Sequence, residues 1–113
     1  MAKIEHYLTG DFDEMIALIE REILKKNFSA SLEDGSDFDD GSVKVAIRVF
    51  ERYSYLGKNR LSLNVTLVNS QGRLFLSAIT AGGSQAVFFK VNTWGEENFL
   101  LFFQNIIEPY IIN

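Results

Sequence analysis

A chain of 113 residues that is 47% hydrophobic and 23% charged has the composition of one globular domain, and a chain of that length buries about 65% of the surface its unfolded form exposes. The absence of cysteine excludes disulfide frameworks, thiolate nucleophiles and cysteine-based zinc sites. A net charge of −4 and an isoelectric point of 4.9 set up a field that repels nucleic acid and anionic lipid.

Lys3 to Leu8 is short and mixed, with Ile4, Tyr7 and Leu8 apolar, and reads as a first strand. Lys3, Glu5 and His6 interrupt any secretory signal there. Asp11 with Glu14 three positions later is a capping-box pattern, in which the Asp carboxylate accepts a helix-end N–H and Glu14 reaches back. The helix that follows places Phe12, Met15, Ile16, Ile19 and Ile23 on one face, turns Glu20, Arg21 and Lys25 away or to the flank, and is expected to end near Asn27.

Between Ser29 and Arg52 the Asp40-Gly41 pair predicts a two-residue hairpin turn, since both residue types tolerate positive φ. The register that results sets Phe38 opposite Val43, Asp37 opposite Lys44, Glu33 opposite Arg48 and Leu32 opposite Val49, with Asp34 against Ile47 and a bulge at Gly35. Val43, Val45, Ile47 and Val49 then face the core, and Lys44, Arg48 and Arg52 face solvent. A three-residue turn at Gly57, Lys58 and Asn59 keeps Leu61, Leu63, Val65 and Leu67 on the same inner side, with Ser62, Asn64 and Thr66 outward.

In Arg73 to Thr80, Leu74 and Leu76 compete with Phe75 and Ile79 for the inner side, and a three-residue turn with Gly72 left-handed favours Phe75 and Ile79. A final strand is expected from Gln85 to Val91. Thr93 with Glu96 repeats the capping-box signal before a second helix, whose inward stripe is Phe99, Phe102, Phe103, Ile106, Ile107 and Tyr110. The longest apolar stretch, Phe99 to Ile107, is broken by Gln104 and Asn105 and is far short of a membrane span. The chain is expected to be soluble and cytoplasmic.

The order strand, helix, four strands, helix predicts an α+β domain over residues 1–113, with an antiparallel sheet covered on one face by both helices. The same order occurs in each half of the TATA-binding-protein-like fold. That likeness concerns shape, and the acidic balance argues against carrying DNA binding with it.

No constellation in the chain assigns a catalytic residue, a cofactor or a metal. Glu33, Asp34, Asp37, Asp39 and Asp40 invite a calcium-loop reading, but with Gly41 as the loop glycine the ligand positions fall on Phe38 and Ile47. A solvated acidic hairpin is the better reading, with Glu33 and Asp37 neutralising Arg48 and Lys44. Lys44, Arg48 and Arg52 beside Ser62, Asn64 and Thr66 are a candidate anion-binding surface, set against a merely solvated sheet face. Ala81-Gly82-Gly83-Ser84 lacks the Lys-Ser/Thr of a phosphate-binding loop and the glycine spacing of a dinucleotide site. His6, the one histidine, has no serine nucleophile elbow to serve and reads as a partly exposed strand residue.

Ala81-Gly82-Gly83-Ser84, Val87-Phe88-Phe89-Lys90 and Trp94-Gly95-Glu96-Glu97-Asn98-Phe99 resemble a family of short bacterial proteins known only as a domain of unknown function. The likeness is strongest over residues 81–99 and fits the whole length. It implies no activity, cofactor or catalytic residue. Read from the residues themselves, Gly82 and Gly83 let the chain reverse or bulge, and Trp94 staples the helix start onto the sheet. A functional reading makes Gly82, Gly83, Lys90 and Trp94 the rim of a pocket.

Leu100 and Leu101 lie off the inward stripe, and Ile111 and Ile112 follow Pro109, so the second helix and tail carry more apolar surface than one face needs. The leading expectation is a non-enzymatic module that forms a homodimer or docks a protein partner through Leu100, Leu101, Ile111 and Ile112. The alternative is a small-ligand binder whose apolar pocket lies between sheet and helices with Trp94 at its mouth. An enzyme using two close carboxylates in a polar cleft is the third.

Overall fold

The computed structural model describes residues 2–26, 29–54, 59–82 and 89–113, with the side chains of 54, 59 and 89–97 outside the description. The elements are β1 (Ala2–Leu8), α1 (Phe12–Lys26), β2 (Ala30–Asp39), β3 (Val43–Ser54), β4 (Asn59–Ser70), β5 (Arg73–Gly82), α2 (Phe89–Ile107) and a 3-10 turn, Glu108–Tyr110. The fold is α+β: a five-stranded antiparallel sheet in the order β1-β5-β4-β3-β2, with β4 at its centre, together with two helices.

The strand expected from Gln85 to Val91 is not formed over residues 89–91, which are already helical; residues 83–88 lie outside the described part. Neither side of β5 is open to a following strand among the described residues. β5 is flanked by β4 and β1, and the outer edge of β1 is taken by the tail, where Tyr7 N–H donates to Asn113 O at 3.1 Å and Ile112 N–H to Tyr7 O at 2.8 Å. Thr93 is therefore inside α2 and not its N-cap.

Three turns decide which side chains meet the helices. At the β2–β3 hairpin the reversal is centred on Gly41-Ser42 instead of Asp40-Gly41: Asp40 N–H donates to Val43 O at 3.2 Å, and Gly41 has φ +91°. Positive φ at the first central position alone is the type II′ pattern. Asp40 stands outside the turn because its carboxylate accepts the N–H groups of Ser42 at 2.9 Å and Val43 at 2.8 Å, a bond set open to it only from the preceding position. The pairing is then Phe38 with Val45, Asp37 with Ala46, Gly35 with Arg48 and Asp34 with Val49, and the irregularity falls between Leu32 and Asp34 rather than at Gly35.

Ser54 pairs with Asn59, leaving four residues between them where three were expected, so odd positions of β3 stand opposite even positions of β4. The expected inner set of β3 is thereby reversed. Ala46 and Phe50 are buried beneath the helices with Leu61, Leu63, Val65 and Leu67 of β4, while Val43, Val45, Ile47 and Val49 look out from the other face. Gln71 (φ 54°) and Gly72 (φ 75°) make a two-residue turn between Ser70 and Arg73, positive at both positions as type I′ requires. Leu74, Leu76, Ala78 and Thr80 are consequently buried, and Phe75 and Ile79, expected inward, lie on the open face.

Both helices pack on the same sheet face. α1 begins as its capping pattern requires, with Glu14 N–H donating to Asp11 Oδ2 at 3.0 Å, and buries Met15, Ile19 and Ile23. α2 buries Phe99, Leu100, Phe103 and Ile107, with Phe102, Ile106 and Tyr110 half-buried against the same cluster. One helical layer on one side leaves an elongated two-layer body: the radius of gyration is 14.4 Å, against about 13 Å for a compact chain of this length.

Candidate functional site

Because directly opposed residues of an antiparallel sheet share a face, the register defines rows of side chains across the face without helices. One row runs Tyr7, Phe75, Val68, Val45, Phe38 and crosses all five strands. Its members are apolar throughout; Phe38 is 56% exposed and the other four are half-buried by their neighbours. The Tyr7 and Phe75 rings meet edge to face at 5.4 Å, and the Arg73 guanidinium covers Tyr7 at 4.1 Å from the ring centre. The next row is Glu5, Ser77, Thr66, Ile47, Ser36, and the one after it Lys3, Ile79, Asn64, Val49, Asp34.

Charge on this face lies at its margins, with acid in excess at the β2 edge, where Asp40 stands opposite Val43 and Glu33 meets Ser31. Lys3, Arg60 and Arg73 stand against Glu5, Asp34 and Glu51. Lys3 reaches Glu5 at 4.0 Å and Arg60 reaches Glu51 at 2.7 Å. The middle of the face is therefore uncharged although the chain as a whole is acidic. The face thus presents one apolar row next to the β2–β3 and β4–β5 turns, followed by a middle row that is polar except for Ile47.

The cations expected beside Ser62, Asn64 and Thr66 are on the opposite side of the sheet, so that anion surface is not assembled. Lys44 meets Asp13 of α1 at 3.3 Å. Arg48, only 13% exposed, donates from Nε to Glu20 Oε2 at 2.6 Å, from Nη2 to Asp37 at 3.0 Å and from Nη1 to the carbonyls of Ile47 at 2.9 Å and Ser36 at 3.3 Å. Burial works against its charge, and the hydrogen bonds it donates to Glu20 and Asp37 outweigh that, so its pKa is raised. The Arg52 guanidinium lies 4.6 Å from the Phe99 ring centre, and desolvation lowers its pKa. These cations tie α1, α2 and the hairpin to the sheet.

The hairpin carboxylates are engaged locally. Asp34 accepts Gly35 N–H at 2.8 Å, Asp39 accepts Gly41 N–H at 2.9 Å, and Ser31 Oγ donates to Glu33. The N–H groups of Val43 and then Ser42 hold the Asp40 carboxyl below its ordinary 3.8. Among the described residues no group of three or more His, Asp or Glu side chains could hold a metal ion. His6 is half-buried, its Nδ1 3.2 Å from Asn113 O.

Of the interface residues expected from sequence, Leu101 is 57% and Ile112 65% exposed, but Leu100 is 6% exposed and belongs to the core, and Ile111 is half-buried and bridged to Leu8. Those four do not form one exposed patch. Of the expected pocket rim, Gly82 ends β5, where φ is +109° and a Cβ would sit 2.8 Å from Arg60 O, a backbone reason for glycine. Gly83 and the side chains of Lys90 and Trp94 lie outside the described residues. A cavity of about 370 Å³ does open at the surface, but between α1 and the C-terminal turn rather than between sheet and helices; Gly10, Glu14, Leu18, Arg21 and Tyr110 are among its walls.

The apolar row was hidden in the sequence because both alternating sets of β3 are rich in apolar residues, and a one-residue change in a turn exchanges them. Gln71-Gly72 between two alternating runs was the signal that could have exposed it on β5.

This chain belongs to the DUF6054 family, a family of unknown function, which it matches over residues 1–111. No curated protein and no solved structure matches it.

Proposed function

We propose that this DUF6054 member is a non-enzymatic cytoplasmic module that self-associates, with the open face of its sheet as the contact surface. The observation that carries the reading is the unbroken row Tyr7, Phe75, Val68, Val45, Phe38 across five strands. An apolar row of this extent on a face that no described element covers is the kind of surface that soluble proteins bury against a partner. The free edge of the sheet supports face contact over edge contact: β2 carries Glu33, Asp34, Asp37 and Asp39 and is irregular after Leu32, devices that discourage strand addition. Among the described residues no helix is long and apolar enough to cross a membrane, which supports placing the protein away from one.

Light scattering on the wild type, on Val68→Lys and on Leu101→Asp tests the reading. The wild type is expected to be a dimer, Val68→Lys a folded monomer by circular dichroism, and Leu101→Asp still a dimer. A monomeric wild type removes the reading, and dissociation by Leu101→Asp alone moves the contact to α2.

The cavity beside α1 favours a second reading, a binder of small amphipathic molecules. Its walls combine Leu18 and the Tyr110 ring with Glu14 and Arg21, a mixture usual in ligand sites. A screen of small amphipathic compounds by chemical-shift mapping, with no shifts around Leu18 and Tyr110, removes it.

A further inference from the structure

We infer that the partner on the open face is a second copy of this chain related by a two-fold axis running along the central strand β4, so that edge β1 of each copy lies over edge β2 of the other. This rests on the self-association reading and adds its geometry.

The axis is selected by the side-chain rows. A two-fold axis along β4 reverses each row onto itself, because β4 is third of five in the order β1-β5-β4-β3-β2. The apolar row then sets Tyr7 over Phe38, Phe75 over Val45, and Val68 over its own copy. The row Lys3, Ile79, Asn64, Val49, Asp34 sets Lys3 over Asp34, Ile79 over Val49, and Asn64 over its own copy. Every apolar residue of these two rows meets an apolar residue, every charge meets its opposite, and the amide meets an amide. The other face-to-face choice, an axis across the strands through the row of Thr66, stacks Phe38 on Asp34, Tyr7 on Lys3 and Val68 on Asn64. Three apolar groups would there be buried against polar ones, whereas in the same three rows the β4 axis makes one such mismatch, Ile47 over Ser77, and each mismatch costs free energy without a compensating bond.

Area and charge also fit a second copy. Five strands about 4.8 Å apart and five rows about 6.7 Å apart span about 500 Å² between the outermost residue centres, before the outer half-spacings and side-chain relief that bring it towards what one partner contributes to a stable interface, about 600–1,000 Å². Lys3, Arg60 and Arg73 offset part of the acid on the face, Glu5, Asp34, Glu51, Glu33 and Asp40, which reduces repulsion between two acidic chains there, and Arg60, which stands over its own copy, is partnered by Glu51 at 2.7 Å. An isologous contact of this kind closes at two copies and leaves no surface for further growth.

Charge exchange tests the arrangement. Lys3→Asp and Asp34→Lys each replace two symmetric ion pairs by two like-charge pairs and are expected to weaken the dimer by about tenfold, while the double variant regains wild-type affinity to within about threefold. The chain has no cysteine, so single spin labels report the axis directly. Labels at Thr66→Cys on β4 are expected about 10 Å apart, and labels at Ser36→Cys on edge strand β2 about 20 Å apart, since sheets stack about 10 Å apart and two strand spacings separate β2 from the axis in each copy. Ser36 labels as close as the Thr66 labels, or a double charge variant weaker than either single one, overturn the β4 axis; if Val68→Lys still dissociates the dimer, the open-face reading survives that result. A wild type that stays monomeric overturns both.

Discussion

Gly35→Ala should destabilise the protein through Arg48 and through nothing else of comparable size. A Cβ at residue 35 would lie 2.9 Å from Arg48 Cδ, 3.1 Å from its Nη1 and 3.2 Å from Ile47 O. The Arg48 side chain crosses the bare backbone of Gly35 to reach Glu20 and Asp37, and the middle of that chain cannot move without breaking one of those bonds. Overpacking of this kind costs about 1–3 kcal/mol, and with unfolding entropy of about 2.1 cal/mol/K per residue each kcal/mol lowers the Tm of a 113-residue chain by about 4 °C. The expected fall is therefore about 4–12 °C. Arg48→Ala alone loses charge-assisted hydrogen bonds and should cost about 1.5–3 kcal/mol; Glu20 and Asp37 stay in contact with water and are not stranded. In the Arg48→Ala background only Ile47 O still presses on the new methyl, and the entropy that Ala removes from the unfolded chain, about 0.4–1 kcal/mol, offsets it. Gly35→Ala should then be neutral to within about 0.5 kcal/mol. The assay is urea unfolding of the four proteins at one protein concentration, with equal m-values required before midpoints are compared. A coupling energy of at least about 1 kcal/mol is expected. An equal loss in both backgrounds refutes the reasoning and assigns the glycine to the backbone alone.

Gln71 holds φ at 54° in a two-residue turn, a region that costs a non-glycine L-residue about 1–2 kcal/mol. Gln71→Asn makes the preferred Asn-Gly pair and should raise the Tm by about 2–4 °C; an unchanged or lower Tm by calorimetry contradicts the turn geometry. Asp40 titrates below its ordinary 3.8 because Val43 and Ser42 N–H groups favour its ionised form. A depressed folded pKa contributes stability above the unfolded value of 3.8 that disappears as pH falls through the folded pKa, so Asp40→Asn should flatten the acid limb of stability below about pH 4. Carboxyl NMR titration of Asp40 with a midpoint at or above 3.8 would contradict it.

Much of the architecture could be read along the chain because its signals are local. The Asp11 cap, the spacing of Met15, Ile19 and Ile23, and the alternation of Leu61, Leu63, Val65 and Leu67 each depend on neighbours within a few residues, and each stands in the structure as expected. The α+β character and the burial of Phe99, Phe103 and Ile107 follow from the same short-range patterns, while the strand expected from Gln85 to Val91 gives way to helix by residue 89. The candidate contact face was not legible in this way. Whether Val45 or Ala46 meets the helices depends on how many residues separate Ser54 from Asn59, and whether Phe75 or Leu76 does depends on a turn of two residues instead of three. A strand with apolar side chains on both faces carries no periodic cue to break that tie. Only the closing of the sheet around β4, with β1 and the tail filling one edge and β2 the other, settled which apolar set is core and which is left facing outward.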